Sequence, residues 1–190
     1  MQKIILASQS PRRKQLLEWA EVPFEIVVSN AAESYPPGLS HDEIAIYIAR
    51  NKAMAVQSKV PKGSIVLAAD TIVVLGDAVI GKPVHREEAI SMLLALSGEK
   101  HKVITGVALL RDDSETVFAD TTEVVFYQLT EEEIEFYVDK YKPYDKAGAY
   151  AIQEWIGVVG IKSVKGDFYN VMGLPVSRVV RELEKLTPNP

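Results

Sequence analysis

Apolar residues along this chain fall into short continuous runs that alternate with longer stripes at helical spacing, the pattern of an α/β protein. Ile4-Ile5-Leu6-Ala7 reads as a short buried strand. Ser10 then caps a helix that Pro11 opens, and Leu16, Leu17 and Ala20 are its apolar stripe. Residues 24–28 read as a second strand and residues 29–39 as a loop. Ser40-His41-Asp42-Glu43 has the spacing of a capping box and starts a helix with Ile44, Ile48, Lys52 and Ala55 on roughly one face. Residues 64–75 are almost continuously apolar, which predicts a central strand covered on both faces. Gly76-Asp77 is a hairpin turn signal with Ala78-Val79-Ile80 as the return.

The second half is more β-rich. Residues 86–96 form a helical stripe of Ala89, Met92, Leu93 and Leu96. Two long β runs follow, 101–110 and 116–129, joined by the polar residues 111–115. Thr130-Glu131-Glu132-Glu133 is a second capping box, opening a helix through Ile134, Tyr137 and Val138. Residues 156–164 predict a strand and Gly166-Asp167 a turn. The last helix opens at Leu174-Pro175 with Val176, Val179, Val180 and Leu183 inward, and residues 187–190 read as a frayed tail. No repeat or linker divides the chain, so residues 1–190 are expected to form one domain, drawn into two lobes around a cleft. Helix–strand alternation that gives way to a long hairpin argues for α/β with a mixed sheet, not a purely parallel one.

Composition narrows the function more than the fold. A net charge of −5 argues against broad nucleic-acid binding, which needs a basic face. The absence of cysteine excludes disulfides, thiolate catalysis and cysteine-based metal sites, and is compatible with a reducing compartment. Met1-Gln2-Lys3 and a four-residue apolar run are too short for a signal peptide. No stretch approaches the ~18 apolar residues of a membrane span, so a soluble protein is expected.

Against that acidic background, Arg12-Arg13-Lys14 in the first turn of a helix stands out. Cations there oppose the helix dipole at roughly 0.3–1 kcal/mol per charge. Helix N–H groups, the hydroxyls of Ser8 and Ser10 and two guanidinium forks would together suit a polyphosphate; a solvated basic turn is the alternative, and the preceding strand, the two serines and Pro11 favour the anion. Asp70 is the sharpest single residue, because a bare carboxylate inside an apolar strand costs several kcal/mol. It must be paired, metal-bound or facing a cleft, unless it sits at a strand bend hydrogen-bonded to Thr71 or backbone. Glu33 could join Asp70 as the second hard oxygen ligand of Mg²⁺ or Mn²⁺. Lys52 in line with an apolar face reads most simply as a snorkelling side chain. Lys82, held between Gly81 and Pro83, can serve as a point charge for phosphate. Gly76 to Lys82 matches the start of a P-loop, but Pro83 replaces the magnesium-binding hydroxyl and no helix opens after it, which rejects that motif. The three histidines show no ligand spacing, and no serine has a nearby His-Asp pattern.

Taken together and in order, these stretches resemble the Maf family of nucleoside triphosphate pyrophosphatases, over Leu6 to about Val180. The resemblance rests on Leu6-Ala7-Ser8-Gln9-Ser10-Pro11-Arg12-Arg13, Lys52-Ala53, Ala69-Asp70-Thr71-Ile72-Val73, Gly81-Lys82-Pro83, Leu96-Ser97-Gly98 and Val103-Ile104-Thr105-Gly106-Val107. It extends to the run from Asp145-Lys146-Ala147-Gly148-Ala149-Tyr150 to Gln153 and to Val171-Met172-Gly173-Leu174-Pro175. It implies an elongated twisted mixed sheet flanked by helices, with two lobes around a cleft. It also implies hydrolysis of a nucleoside triphosphate between the α and β phosphates with a divalent cation, Mg²⁺ or Mn²⁺. The branch acting on dTTP and UTP is the nearer one. By the same resemblance Asp70 is the proton acceptor and a metal-side carboxylate with Glu33. Ser8, Arg12, Arg13, Lys52 and Lys82 lie on the phosphate side, and Arg12, Thr71 and Gln153 bear on substrate choice. The implied setting is cytoplasmic cleaning of nucleotide pools, with a nucleotide as partner, no nucleic acid and no membrane; a homodimer is compatible with it. Two departures are the non-acidic Ser29-Asn30-Ala31-Ala32 before Glu33, and Glu154-Trp155 after Gln153, where a glycine is expected. A regulatory nucleotide-binding protein without turnover and a purine pyrophosphatase of the ITP type are the competing readings.

Overall fold

The computed structural model describes residues 2–186, so the tail expected at 187–190 lies outside the described residues. The described residues hold seven strands: β1 (Ile4–Leu6), β2 (Phe24–Ile26), β3 (Val66–Leu75), β4 (Ala78–Ile80), β5 (Lys100–Arg111), β6 (Ser114–Phe126) and β7 (Ile161–Lys165). The helices are α1 (Pro11–Trp19), α2 (His41–Gln57), α3 (Arg86–Leu96), α4 (Glu131–Tyr141), α5 (Trp155–Gly160), α6 (Phe168–Met172) and α7 (Val176–Leu186), with a short 3₁₀ turn at Ala147–Ala149. The strand order is β2-β1-β3-β5-β6-β7, with β4 on β3. β1 runs parallel to β2 and β3, whereas β3–β4 and β6–β7 are antiparallel, so the sheet is mixed as expected. None of the described helices is long and apolar enough to cross a membrane.

The chain divides into two compact units. The first holds the residues up to Thr71, Thr105–Asp120 and the chain from Gly173; the second holds Ile72–Ile104 and Thr121–Met172.

In the first unit β1 pairs with β2, Ile4 opposite Phe24, and with β3, Ile5 opposite Val66. The capping box of α2 forms in full: the Glu43 N–H reaches Ser40 Oγ at 3.4 Å, and the Ser40 N–H reaches Glu43 Oε2 at 2.8 Å. From that start α2 lays Ala49, Ala53 and Val56 against Ile5, Ala7, Val66, Ala68, Ala108 and Leu110. Small residues let the helix lie close to the strands. Gly106 on β5 marks the tightest approach, because a Cβ there would stand 2.2 Å from the carbonyl carbon of Ala45. The register of this packing puts Lys52 of α2 beside Asp70 of β3.

In the second unit the later part of β3 pairs with β4, Val74 opposite Val79, and the later part of β6 with β7, Val124 opposite Val164. The Ser97 hydroxyl, just past α3, accepts from the Leu129 N–H at 2.7 Å and donates to its carbonyl at 3.3 Å. The strand expected over 156–164 is corrected: its first part is α5, and β7 begins only at Ile161. An apolar run without polar punctuation suits either element. Here the Glu154 carbonyl accepts from the N–H groups of Gly157 (2.9 Å) and Val158 (3.2 Å) and nucleates a helical turn. After the expected turn a further short helix forms, since Asp167 Oδ1 accepts from the Tyr169 N–H at 2.8 Å and opens α6.

His101, Phe126 and Tyr150 form a closed aromatic group in this unit, with ring centroids 5.0–5.4 Å apart. His101 Nε2 lies 2.7 Å from the Tyr150 hydroxyl, and Nδ1 has no hydrogen-bond partner among the described residues. Burial pushes the imidazole down from 6.5 to about 4. The neutral ring is therefore the folded form. Its contribution is fully present above the ordinary value of 6.5 and is lost as pH falls towards 4. The melting temperature should fall between pH 7 and pH 5, where few carboxylates yet titrate, and His101→Asn should flatten that slope whatever it does to stability at pH 7. An equal slope in the variant would assign the acid sensitivity elsewhere.

Candidate active site

The start of α1 is built as expected, with Ser10 as N-cap and Pro11 at the first position, and the Arg13 N–H pointing at Ser10 Oγ at 3.5 Å. The arginine pair then divides. Arg12 is half-buried, whereas Arg13 is 9% exposed and turned into the first unit. Arg13 Nε donates to the Gly173 carbonyl at 2.8 Å, Nη1 to Ser8 Oγ at 3.3 Å and Nη2 to Thr71 Oγ1 at 3.0 Å. Burial lowers the Arg13 guanidinium below its ordinary value; Asp70 opposes that shift, Arg12 reinforces it and Glu33 opposes it more weakly. Ser8 Oγ also accepts from the Ser10 N–H at 3.2 Å. With two acceptor contacts already made, the Ser8 hydroxyl has its proton to offer a ligand. Thr71 Oγ1 lies 2.9 Å from Thr105 Oγ1, and Thr105 is fully buried. Thr105, a polar residue within an apolar strand, carries the same signal in the sequence that marks Asp70.

Lys52 does not snorkel. Its side chain is 13% exposed, and Nζ stands 2.7 Å from Asp70 Oδ1 and 2.7 Å from Glu33 Oε1. One ammonium from α2 thus joins the carboxylate of β3 to a loop glutamate far from both in sequence. Asp70 is 6% exposed, so its burial is compensated by this pair and not by a strand-bend hydrogen bond to Thr71. Glu33 is half exposed at the open end of the bridge. Ser8, Arg13, Thr71, Glu33, Lys52 and Asp70 are therefore brought together in the first unit, with Arg12 and Glu33 both close enough to act electrostatically on Arg13. Two carboxylates converge here, and among the described residues no third His, Cys, Asp or Glu completes a metal cluster.

Lys82 and Gln153 belong to the second unit. Lys82 is exposed on the segment after β4, and the adjoining Gly81 carbonyl accepts from the Gly148 N–H at 2.9 Å. Gly148 has φ +68°, and a Cβ there would meet Val73 Cγ2 at 3.0 Å, so both its conformation and its packing call for glycine. Ala149 follows with φ +58°, a strained state for a side-chain-bearing residue. Gln153 is exposed on the turn beyond, and among the described residues no hydrogen bond holds its amide.

The two arginines should separate by measurement. Arg13→Gln removes three hydrogen bonds of a buried cation and should cost about 2–4 kcal/mol of stability, read as a lowered melting temperature. Arg12→Gln should leave melting unchanged or slightly raised, because it removes a charge opposed to the dipole. Equal effects would mean that the buried contacts of Arg13 carry no net stability.

With this geometry in view, residues 3–186 match the family described as Maf-like protein. A dTTP/UTP pyrophosphatase of Cytophaga hutchinsonii is 54% identical over 183 residues, spanning 96% of this chain and 84% of that protein. A dTTP/UTP pyrophosphatase of Parabacteroides distasonis is 50% identical over 183 residues, spanning 96% and 95%. Among solved structures, the Staphylococcus aureus Ham1 protein aligns over 95% of this chain and 100% of its own, at a TM-score of 0.51 and 18% identity, a likeness of fold alone. The chain belongs to the Maf family.

Proposed function

We infer that this chain is a nucleoside triphosphate pyrophosphatase, acting on dTTP and UTP and cleaving between the α and β phosphates. The observation that carries the chemistry is the buried Asp70 carboxylate held by Lys52 within the same unit as Ser8, Arg12 and Arg13. A protein that only binds triphosphate gains nothing from that carboxylate, which repels the ligand. The relatives named dTTP/UTP pyrophosphatases support the substrate class.

The reaction joins a water oxygen to the α-phosphorus, breaks its bond to the bridging oxygen and releases pyrophosphate with a nucleoside monophosphate. Asp70 takes the proton of the attacking water. Lys52 and Arg12 offset the charge of the phosphates, a part that the family resemblance gives Lys82 as well, and the Ser8 hydroxyl donates a hydrogen bond to a phosphoryl oxygen. Arg13, occupied by Ser8, Thr71 and Gly173, orients the Ser8 oxygen. Glu33 and Asp70 are a donor set that fits Mg²⁺ or Mn²⁺, which takes one or two carboxylates and completes its shell with phosphate oxygens and water. When bound, the cation would polarise the phosphoryl group under attack. Gln153 presents an acceptor and a donor that match the N3–H and O4 of uracil or thymine. A cytoplasmic role in clearing nucleotide pools goes with this reading.

Three outcomes test it. UTP incubated with Mg²⁺ or Mn²⁺ should give UMP and pyrophosphate; orthophosphate with UDP would sink the assignment. Asp70→Asn should lower kcat roughly 10²–10⁴-fold. It should still fold, because Lys52 retains Glu33 as a partner; more than a tenth of the wild-type rate would make Asp70 structural. Gln153→Glu, which loses the donor and adds a charge, should depress dTTP and UTP hydrolysis far more than residual activity on other nucleotides. An equal fall on every substrate would remove Gln153 from base recognition.

A further inference from the structure

The amide of Gln153 cannot discriminate uracil from cytosine by its chemistry alone. Rotated by half a turn, it offers the opposite pattern of donor and acceptor, and among the described residues no hydrogen bond prevents that rotation. What is held is the backbone that carries it. Residues 151–154 form a tight turn closed by the Glu154 N–H on the Ala151 carbonyl at 3.1 Å. The side chains of Ala151 and Ile152 are buried, while Gln153 points outward.

Both ends of this turn are fastened to one atom. The Tyr137 hydroxyl oxygen accepts from the Ala151 N–H at 3.1 Å, and the hydroxyl proton is donated to Glu154 Oε2. Tyr137 itself is fully buried on α4 and stacked on Tyr141, ring centroids 5.0 Å apart at 24°. The other carboxylate oxygen of Glu154, Oε1, stands 3.6 Å from Lys146 Nζ, which is also bonded to Asp145 Oδ1 at 2.7 Å. Lys146 is 8% exposed, so the far side of the Glu154 carboxylate meets a buried cation. Next along the chain, the Trp155 ring packs edge-on against Phe136 of α4 at 4.9 Å. A rigid helix thus grips the turn immediately before and after Gln153, and the residue that receives the grip is Glu154.

We propose that Tyr137 and Glu154 are positioning residues for base selection: the phenol–carboxylate clasp presets the turn, so that Gln153 stands where its amide meets the edge of a pyrimidine and a larger purine has to displace it. The inference rests on Gln153 reading the base. A preset turn avoids the ordering cost that a loose one incurs on binding, so loosening it penalises the base that fits the preset position and not the one that must displace the turn. Neither residue touches the phosphates, so the clasp acts on KM for the preferred substrate and on the ratio between substrates more than on kcat.

The experiment measures kcat and KM for UTP and GTP in the wild type, Gln153→Ala, Tyr137→Phe, Glu154→Ala and Glu154→Gln, with the melting temperature of each. Tyr137→Phe keeps the ring and deletes both ties; Glu154→Ala deletes one. Each should lower the UTP-over-GTP ratio of kcat/KM by about tenfold, through a raised KM for UTP, with kcat for UTP kept within about threefold. Glu154→Gln retains an oxygen that accepts from the phenol and should keep most of the ratio. The double variant Tyr137→Phe/Glu154→Ala should lose no more than the worse single one, since both break the same clasp. The proposal is overturned if Tyr137→Phe and Glu154→Ala keep the wild-type ratio while Gln153→Ala abolishes it, whatever happens to melting. It also falls if kcat and KM for both nucleotides change in parallel. If Gln153→Ala leaves the ratio intact, the base-reading role of Gln153 fails first and the clasp with it.

Discussion

One partly buried ammonium organises the first unit. Lys52 reaches across from α2 to Asp70 on β3 and to Glu33 in the loop ahead of α2, at 2.7 Å in each case. A carboxylate as enclosed as Asp70 is tolerable within a sheet only with such a partner, and a lysine as enclosed as Lys52 only with at least one carboxylate. Each therefore accounts for the other. The placement depends on the close fit of α2 on the strands, and so on alanines along the helix and on Gly106 beneath it. Glu33, more exposed than its partners, lets the bridge end at the surface, where a phosphate or a cation can meet it.

The start of α1 shows how the same residue type serves two ends. Arg12 and Arg13 are adjacent and oppose the same dipole, yet Arg13 spends its donors on Ser8, Thr71 and Gly173 while Arg12 remains nearer to solvent. The burial cost of one guanidinium fixes the oxygen of Ser8 and the hydroxyl of Thr71. Thr71 in turn is tied to the arginine in front of it and to Thr105 behind it. Arg13 is thus part of the frame of the site as much as of its charge.

The second unit handles its polar groups differently. Lys146, Asp145, Glu154 and Tyr137 form a linked set in which Lys146 and Tyr137 are buried, Glu154 is partly so and Asp145 is exposed, and Glu154 stands next to an exposed glutamine. Gly148 and Ala149 add two consecutive left-handed residues just before, a local strain kept in place by the bond to Gly81 and the contact with Val73. Rigidity here lies in the support and not in the exposed side chain of Gln153.

Much of this was present in the residues themselves. Both capping boxes, the Ser10-Pro11 helix start, the Gly76-Asp77 hairpin and the span of α3 are local signals, settled within a few residues by which backbone groups a side chain can reach. Asp70 was legible because a carboxylate has no cheap place in an apolar strand. Tertiary structure alone decided the rest, because those outcomes turn on contacts between distant segments. The run 156–164 could serve as helix or strand, and the carbonyl of Glu154 and the pairing of Ile161 onto β6 chose helix, then strand. Lys52 looked like a side chain bound for solvent, until α2 lay close enough to β3 for an ion pair to outweigh hydration. Arg13 was indistinguishable from Arg12 by position, since the carbonyl that claims it is 160 residues away. Sequence carries what neighbouring residues settle among themselves; the fate of a charge depends on what the fold brings beside it.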